Sequence, residues 1–228
     1  MTSADSSFIH RFVEPTPPGP KITLLLLHGT GGNEEDLLPL GHQLLPGAGL
    51  LSPRGRVLEH GMPRFFRRLA EGVFDQEDLK LQTDGLARFA ADASRKYGLD
   101  HNKTIAIGYS NGANIAASLL LSHPRLLSGA VLFRPMVPFR PQVAPNLKGV
   151  PVLLAAARRD QIVDPKVTSD LAQILTSAGA RVTTHWHPGG HELGADDVAA
   201  AKTWISEVVD GGGIEPPTSA LRTQRSPS

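Results

Sequence analysis

The sequence predicts an α/β fold, a mostly parallel sheet with helices on both faces, and three observations predict it. Apolar runs of strand length alternate with stretches of helical spacing along most of the chain. One run, Ile22 to His28 (ITLLLLH), is almost continuously apolar, as a strand covered on both faces must be. Ala106 to Ser122 (AIGYSNGANIAASLLLS) passes from strand-like aliphatic residues, through a serine between two glycines, into a helical run.

In chain order, Phe8 to Val13 reads as a short strand and Glu14 to Pro20 as a proline-rich turn. The Ile22–His28 strand follows. Asn33 can cap a helix running to Leu45, with Glu34, Glu35 and Asp36 in its positive first turn. Leu50 to Ser52 reads as a short strand, and Pro53 to Phe74 as a loop rich in Gly, Pro and Arg. Glu77 to Tyr97 carries Leu79, Leu86, Phe89, Ala90 and Ala93 near helical spacing, and Gly98 stops it. Thr104 to Gly108 is a strand, and Asn111 to His123 a helix ended by Pro124. Gly129 to Phe133 and Val152 to Ala157 read as buried strands. Val167 to Ala178 reads as a helix, Arg181 to Trp186 as a strand and Ala195 to Val209 as a helix. Residues 1–210 thus form one domain of ordinary size. From Gly211 the composition turns to Gly, Pro, Ser, Thr and Arg, which reads as a disordered tail.

Composition narrows the function. Lys+Arg is 23 against Asp+Glu 22, a balance that suggests neither nucleic acid nor an anionic membrane as partner. Arg64-Phe65-Phe66-Arg67-Arg68 is basic and aromatic, but has no wider basic excess around it. The absence of cysteine excludes disulfides, thiolate metal sites and a cysteine nucleophile. The N-terminus lacks the basic and apolar regions of a signal peptide, and no apolar run is long enough to span a bilayer. The expectation is a soluble, cytoplasmic protein.

Gly108-Tyr109-Ser110-Asn111-Gly112 is G-x-S-x-G at a strand-to-helix junction. A sharp turn there strains the serine backbone and lifts its hydroxyl above the sheet, while the glycines let strand and helix pass closely. Such a serine needs a base oriented by an acid, in the chain order Ser, Asp or Glu, His. Asp160 lies three residues past the strand PVLLAAA, where the acid belongs, and Asp164 in the same loop, before Pro165, reads as a helix cap. His191 lies in a glycine-flanked loop after the last strand, where the base belongs. The loop His28-Gly29-Thr30-Gly31-Gly32 lacks the lysine and spacing of a phosphate loop. It reads as an oxyanion loop, with the N–H groups of Thr30 and Asn111 as donors and His28 as its structural anchor. His185 and His187 share a strand face, but no carboxylate or cysteine pattern around them supports a metal site. Phe65, Phe66 and Phe74 are read as apolar walls for an acyl or aryl group.

LHGTGGNE, RFFRRLAEGVFD, GYSNGANIA, RRDQIVDP and GGHEL together resemble the α/β-hydrolase superfamily over roughly Ile22 to Val209. Within it the chain is similar to bacterial carboxylesterases related to phospholipase/carboxylesterases and acyl-protein thioesterases. The resemblance implies a hydrolase of carboxylic or thio esters that uses Ser110, Asp160 and His191, with Thr30 and Asn111 for the oxyanion, and the modest aromatic wall around Phe65 and Phe66 favours short- to medium-chain acyl groups. It implies no cofactor and no metal, and a small-molecule ester as partner. Monomer and homodimer both stay open. Only one strand precedes the His28 strand, so a reduced sheet is expected. No long insertion separates the strand after the serine from the acid strand, so no bulky helical lid is expected. The rivals are the same site acting on an amide or with peroxide, and a non-catalytic binding protein of the same fold. The intact Ser, Asp and His argue against the second.

Overall fold

Successive side chains of a strand point to opposite faces, so four leucines in a row need apolar cover on both. The computed structural model, which describes residues 8–211, provides it. Leu25 and Leu27 enter a core built with Leu79, Leu86, Ile115, Leu119, Leu171 and Leu175. Leu24 and Leu26 enter a second core with Leu44, Trp204 and Ile205. All four leucines have 0% exposure, and each contributes about 1.5–3 kcal/mol by its transfer from water.

The strand they occupy, β2 (Thr23–Leu27), lies inside a seven-stranded sheet. Its neighbours are β1 (His10–Val13), β3 (Gly49–Pro53), β8 (Thr104–Tyr109), β9 (Gly129–Phe133), β10 (Pro151–Ala157) and β11 (Arg181–His187), in the order β1-β3-β2-β8-β9-β10-β11. Only β1 is antiparallel to its neighbour. Helices α2 (Gln76–Tyr97), α3 (Asn111–Ser122) and α4 (Pro165–Ser177) cover one face, and α1 (Leu38–Leu44) and α5 (Ala195–Asp210) cover the other. This is an α/β-hydrolase-type sheet with few strands on its N-terminal side. The parallel core strands put the C-terminal ends of β2, β8, β10 and β11 along one edge, where ligands bind in open α/β sheets.

Two expectations need correction. The helix predicted from Asn33 starts only at Leu38. The acidic residues that should have opened it are used otherwise: Asn33 Oδ1 accepts from the Glu35 N–H at 2.7 Å, and Glu34 and Glu35 pair with Arg54 and Arg11. The segment read as a loop from Pro53 to Phe74 holds two hairpins, β4 (Val57–Glu59) with β5 (Met62–Arg64), and β6 (Arg68–Ala70) with β7 (Val73–Phe74). His60 and Gly61, at φ 51° and 81°, make the tight turn of the first. Strands of two or three residues are too short to show an alternating pattern.

No helix lies between β9 and β10, in residues 134–150. Among the described residues no helix is long and apolar enough to cross a membrane. The predicted tail lies outside the described residues beyond Gly211.

The tightest packing in the fold joins α3 to the sheet. A Cβ on Gly112 would sit 1.9 Å from the Leu27 carbonyl oxygen, and one on Gly108 would sit 2.6 Å from the Gly112 oxygen. Both obstacles are backbone, so neither can rotate away. Gly112→Ala is expected to lower unfolding free energy by about 3 kcal/mol or more, measured by urea denaturation. A loss under ~1 kcal/mol would mean that α3 can retreat from β2 at little cost.

Candidate active site

Ser110 sits at φ 52° and ψ −113°, a sparsely populated positive-φ conformation that costs a non-glycine residue about 1–3 kcal/mol. Backbone hydrogen bonds on both sides hold it there. The Ser110 N–H donates to the Phe133 carbonyl at 2.9 Å, and the Ser110 carbonyl accepts from the Asn114 N–H at 3.0 Å. The turn directs Oγ toward His191, whose Nε2 lies 2.9 Å away.

His191 Nδ1 lies 2.8 Å from Asp160 Oδ2. A carboxylate can only accept here, so Nδ1 carries the proton and Nε2 is left to accept from the serine. The other oxygen of Asp160 accepts from the Ile162 and Val163 N–H groups at 2.8 and 3.0 Å. The Asp160 side chain is 1% exposed and its orientation is fixed from both sides. Asp164, the neighbouring candidate, accepts from the Lys166 N–H at 2.8 Å and caps α4.

Thr30 and Asn111 flank Ser110 in the cleft. Asn111 is the first residue of α3, where an N–H has no acceptor within the helix. In the Thr30 loop, the Gly31 and Gly32 N–H groups already donate to Pro63 and Gly29. The Thr30 hydroxyl accepts from Arg64 Nη1 at 2.7 Å, which ties this loop to β5. His28 anchors the loop from below. Its Nε2 accepts from the Gly55 N–H at 2.9 Å, so Nδ1–H donates to the Gly29 carbonyl at 2.6 Å. Burial pushes the His28 pKa down, which keeps the ring in the neutral form that both bonds need.

The cleft over Ser110 holds about 410 Å³. Phe74, Met136 and Ile162 give it apolar surface, and Arg64, Arg68 and Glu71 a polar margin. Of the three phenylalanines predicted as walls, only Phe74 lines it. Phe65 and Phe66 are 1% and 0% exposed and belong to the core. The reason is the hairpin register: Phe65 packs its ring on His28, and Phe66 packs edge-on against Phe74. Phe65 serves the site through its backbone, since its N–H donates to Asn111 Oδ1 at 2.7 Å. Glu59 joins the two arginines of the cleft. Burial would raise its pKa, but Arg68 and Arg64, at 2.9 and 3.0 Å, hold the carboxyl below its usual range.

His185, His187 and His191 are not gathered into one site. His191 is occupied as described, while His187 Nδ1 lies 2.8 Å from Asp196, at the start of α5. His187, Asp196 and Asp197 lie close enough to hold a cation, but both Asp197 oxygens already accept from the Arg134 guanidinium. Arg134 was missed from the sequence. The available signal was a charged residue directly after the wholly apolar strand GAVLF. Tyr109 was missed too. Burial raises its phenol pKa, so the hydroxyl stays protonated and donates to the His191 carbonyl at 3.3 Å.

Residues 10–209 match the family described as phospholipase/carboxylesterase. The putative hydrolase MhqD of Bacillus subtilis (strain 168) is 46% identical over 186 residues, spanning 82% of this chain and 93% of that protein. A Bacillus cereus carboxylesterase structure superposes with a TM-score of 0.85 at 48% identity, covering 89% of this chain and 95% of the other. A carboxylesterase from Mesorhizobium loti gives 0.83 at 32% identity, covering 90% and 97%.

The two aspartates of the acid loop should respond differently to the same change. Asp160→Asn, which removes the carboxylate bonded to His191 Nδ1, is expected to cost on the order of 10⁴ in kcat with the fold kept. Asp164→Asn keeps a capping side chain and should hold most activity, with at most about 1 kcal/mol lost in stability. Turnover of one soluble ester beside a thermal melt decides it, and the reverse pattern would move the acid to Asp164.

Proposed function

This chain belongs to the phospholipase/carboxylesterase family of hydrolases, and from that premise we propose that it cleaves short- to medium-chain carboxylic esters through an acyl-enzyme on Ser110. One observation carries the reading: an unbroken hydrogen-bonded chain, Ser110 Oγ to His191 Nε2 at 2.9 Å and His191 Nδ1 to Asp160 at 2.8 Å. It stands at the C-terminal edge of the sheet, on the floor of a cleft.

Ser110 Oγ attacks the ester carbonyl carbon as its proton passes to His191 Nε2. Asp160 keeps Nδ1–H pointed away from the reaction and stabilises the imidazolium. The carbonyl oxygen, now negative, is held by the N–H groups of Thr30 and Asn111, with the positive end of α3 behind the second. His191 then gives its proton to the leaving alcohol oxygen. Water enters, loses a proton to His191 and attacks the acyl carbon. Collapse of that second intermediate releases the acid and restores Ser110. A thioester would follow the same route with a thiol as leaving group. His191, oriented by Asp160, carries every proton that the two steps move, so no cofactor or metal is required.

The acyl preference rests on the cleft. Its apolar surface from Phe74, Met136 and Ile162 is modest, and no helix stands between β9 and β10 to form a deep lipid-binding lid. A small soluble ester is the partner this favours.

A series of p-nitrophenyl esters of rising chain length tests both points. Butyrate or hexanoate should turn over faster than long-chain emulsions, and Ser110→Ala should lose on the order of 10⁶ in kcat while melting normally. A folded Ser110→Ala enzyme with a tenth of normal turnover would remove Ser110 from the mechanism. Faster hydrolysis of long-chain emulsions would remove the acyl preference.

A further inference from the structure

The base His191 stands on a loop, residues 188–194, that has no helix or strand of its own. A catalytic imidazole must nevertheless be held closely, since a misplacement near 1 Å can cost about 10² in rate. The loop is held by its carbonyls. Arg159 takes two of them, donating from its backbone N–H to Gly189 at 3.0 Å and from Nε to Pro188 at 2.7 Å. The carbonyls immediately before and after His191 both accept from a single side chain, Arg134. Its Nε–H donates to the Gly190 oxygen at 3.2 Å and its Nη2 to the Glu192 oxygen at 2.8 Å.

Arg134 has five N–H donors, and the structure uses five. The other three go from Nη1 to the Ala155 carbonyl at 3.0 Å and to Asp197 Oδ1 at 2.9 Å, and from Nη2 to Asp197 Oδ2 at 2.6 Å. Asp197 carries the hold to the end of the loop, accepting from the Gly194 N–H at 2.9 Å. Both side chains of the pair are 0% exposed. A buried ion pair is weak evidence of stabilisation, because desolvation offsets its attraction and an apolar pair of similar volume often serves as well. Arg134 also sits at φ 56°, a conformation seldom taken by a non-glycine residue and more often found at functional sites. The charge, the burial and the strained backbone are explained together by the planar fork reaching the carbonyls on both sides of His191.

We propose that Arg134, seated by Asp197, is the positioning residue of the general base, setting the place of the His191 imidazole against Ser110 without touching substrate. This rests on the esterase reading above for its kinetic readout, but not for its structural one. The fork matters rather than the charge, because a lysine ammonium cannot span the Gly190 and Glu192 oxygens while pairing twice with Asp197.

The test uses the full chain carrying Arg134→Met with Asp197→Leu, which removes both charges at once, and Arg134→Lys as a second variant that keeps them. Steady-state kinetics on a soluble p-nitrophenyl ester are read beside thermal melts and peptide-resolved hydrogen exchange. The expected result is a fall of about 10² in kcat with KM nearly unchanged and faster exchange confined to the peptide spanning 188–194. Arg134→Lys should show the same pattern in a folded protein, and it alone decides if the double variant does not fold. Full kcat in either folded variant would overturn the proposal. So would exchange that rises across the whole sheet, which would make the pair a general structural element. If the wild-type chain itself hydrolyses no ester, the esterase reading fails, and local exchange at 188–194 still decides whether Arg134 holds the loop.

Discussion

The contact on which the rest depends is that of the first turn of α3 with the carbonyl ends of β2 and β8. Space exists there for a hydrogen and for nothing larger at Gly108 and Gly112. That closeness forces the chain to reverse within one residue, and the residue left at the apex is Ser110, at positive φ. Three consequences follow from the one constraint. The serine hydroxyl is lifted above the sheet toward His191. Asn111, the first residue of the helix, is brought to the cleft beside it, with the positive end of α3 behind. The Thr30 loop, which leaves the end of β2, is drawn alongside. The strain at the apex is borne by hydrogen bonds to Phe133 of β9 and Asn114 of α3.

Around that rigid centre the site is assembled from irregular chain, and irregular chain needs partners for its backbone. His28 spends both ring nitrogens on the backbone of Gly29 and Gly55. Arg64, almost wholly buried, joins Thr30 to Glu59 and to the Phe66 carbonyl. Arg134 and Arg159 take the carbonyls around His191. The cationic side chains of this protein near the cleft thus act as multi-headed donors to loops more than as surface charge, in keeping with a net formal charge of only +1.

Where sequence reasoning succeeded and failed follows the range of the interactions involved. Core strands could be recognised because burial on both faces demands unbroken apolar runs, as in TLLLL and PVLLAAA. The elbow and the order of Ser110, Asp160 and His191 could be recognised because they lie at the ends of such runs. Helix α2 announced itself by spacing and by Gly98, which takes the left-handed cap. The hairpins of residues 57–74 could not be recognised, since their strands are shorter than any period. The late start of α1 hinged on ion pairs to Arg11 and Arg54, distant in sequence. The burial of Phe65 and Phe66 depended on the register of those unseen hairpins. Arg134 finds its partners 21 to 63 residues away, and no local pattern records that.

The central claim is that Ser110 is the atom-bearing residue of a covalent intermediate, activated by His191. Labelling the chain with a fluorophosphonate, which phosphonylates a serine made nucleophilic by its base, and mapping the product by peptide mass spectrometry, tests this without any assumption about the natural substrate. The account predicts one phosphonate per chain, on Ser110, with esterase turnover lost in proportion to labelling. A label on another residue, or turnover that survives complete labelling of Ser110, would contradict it.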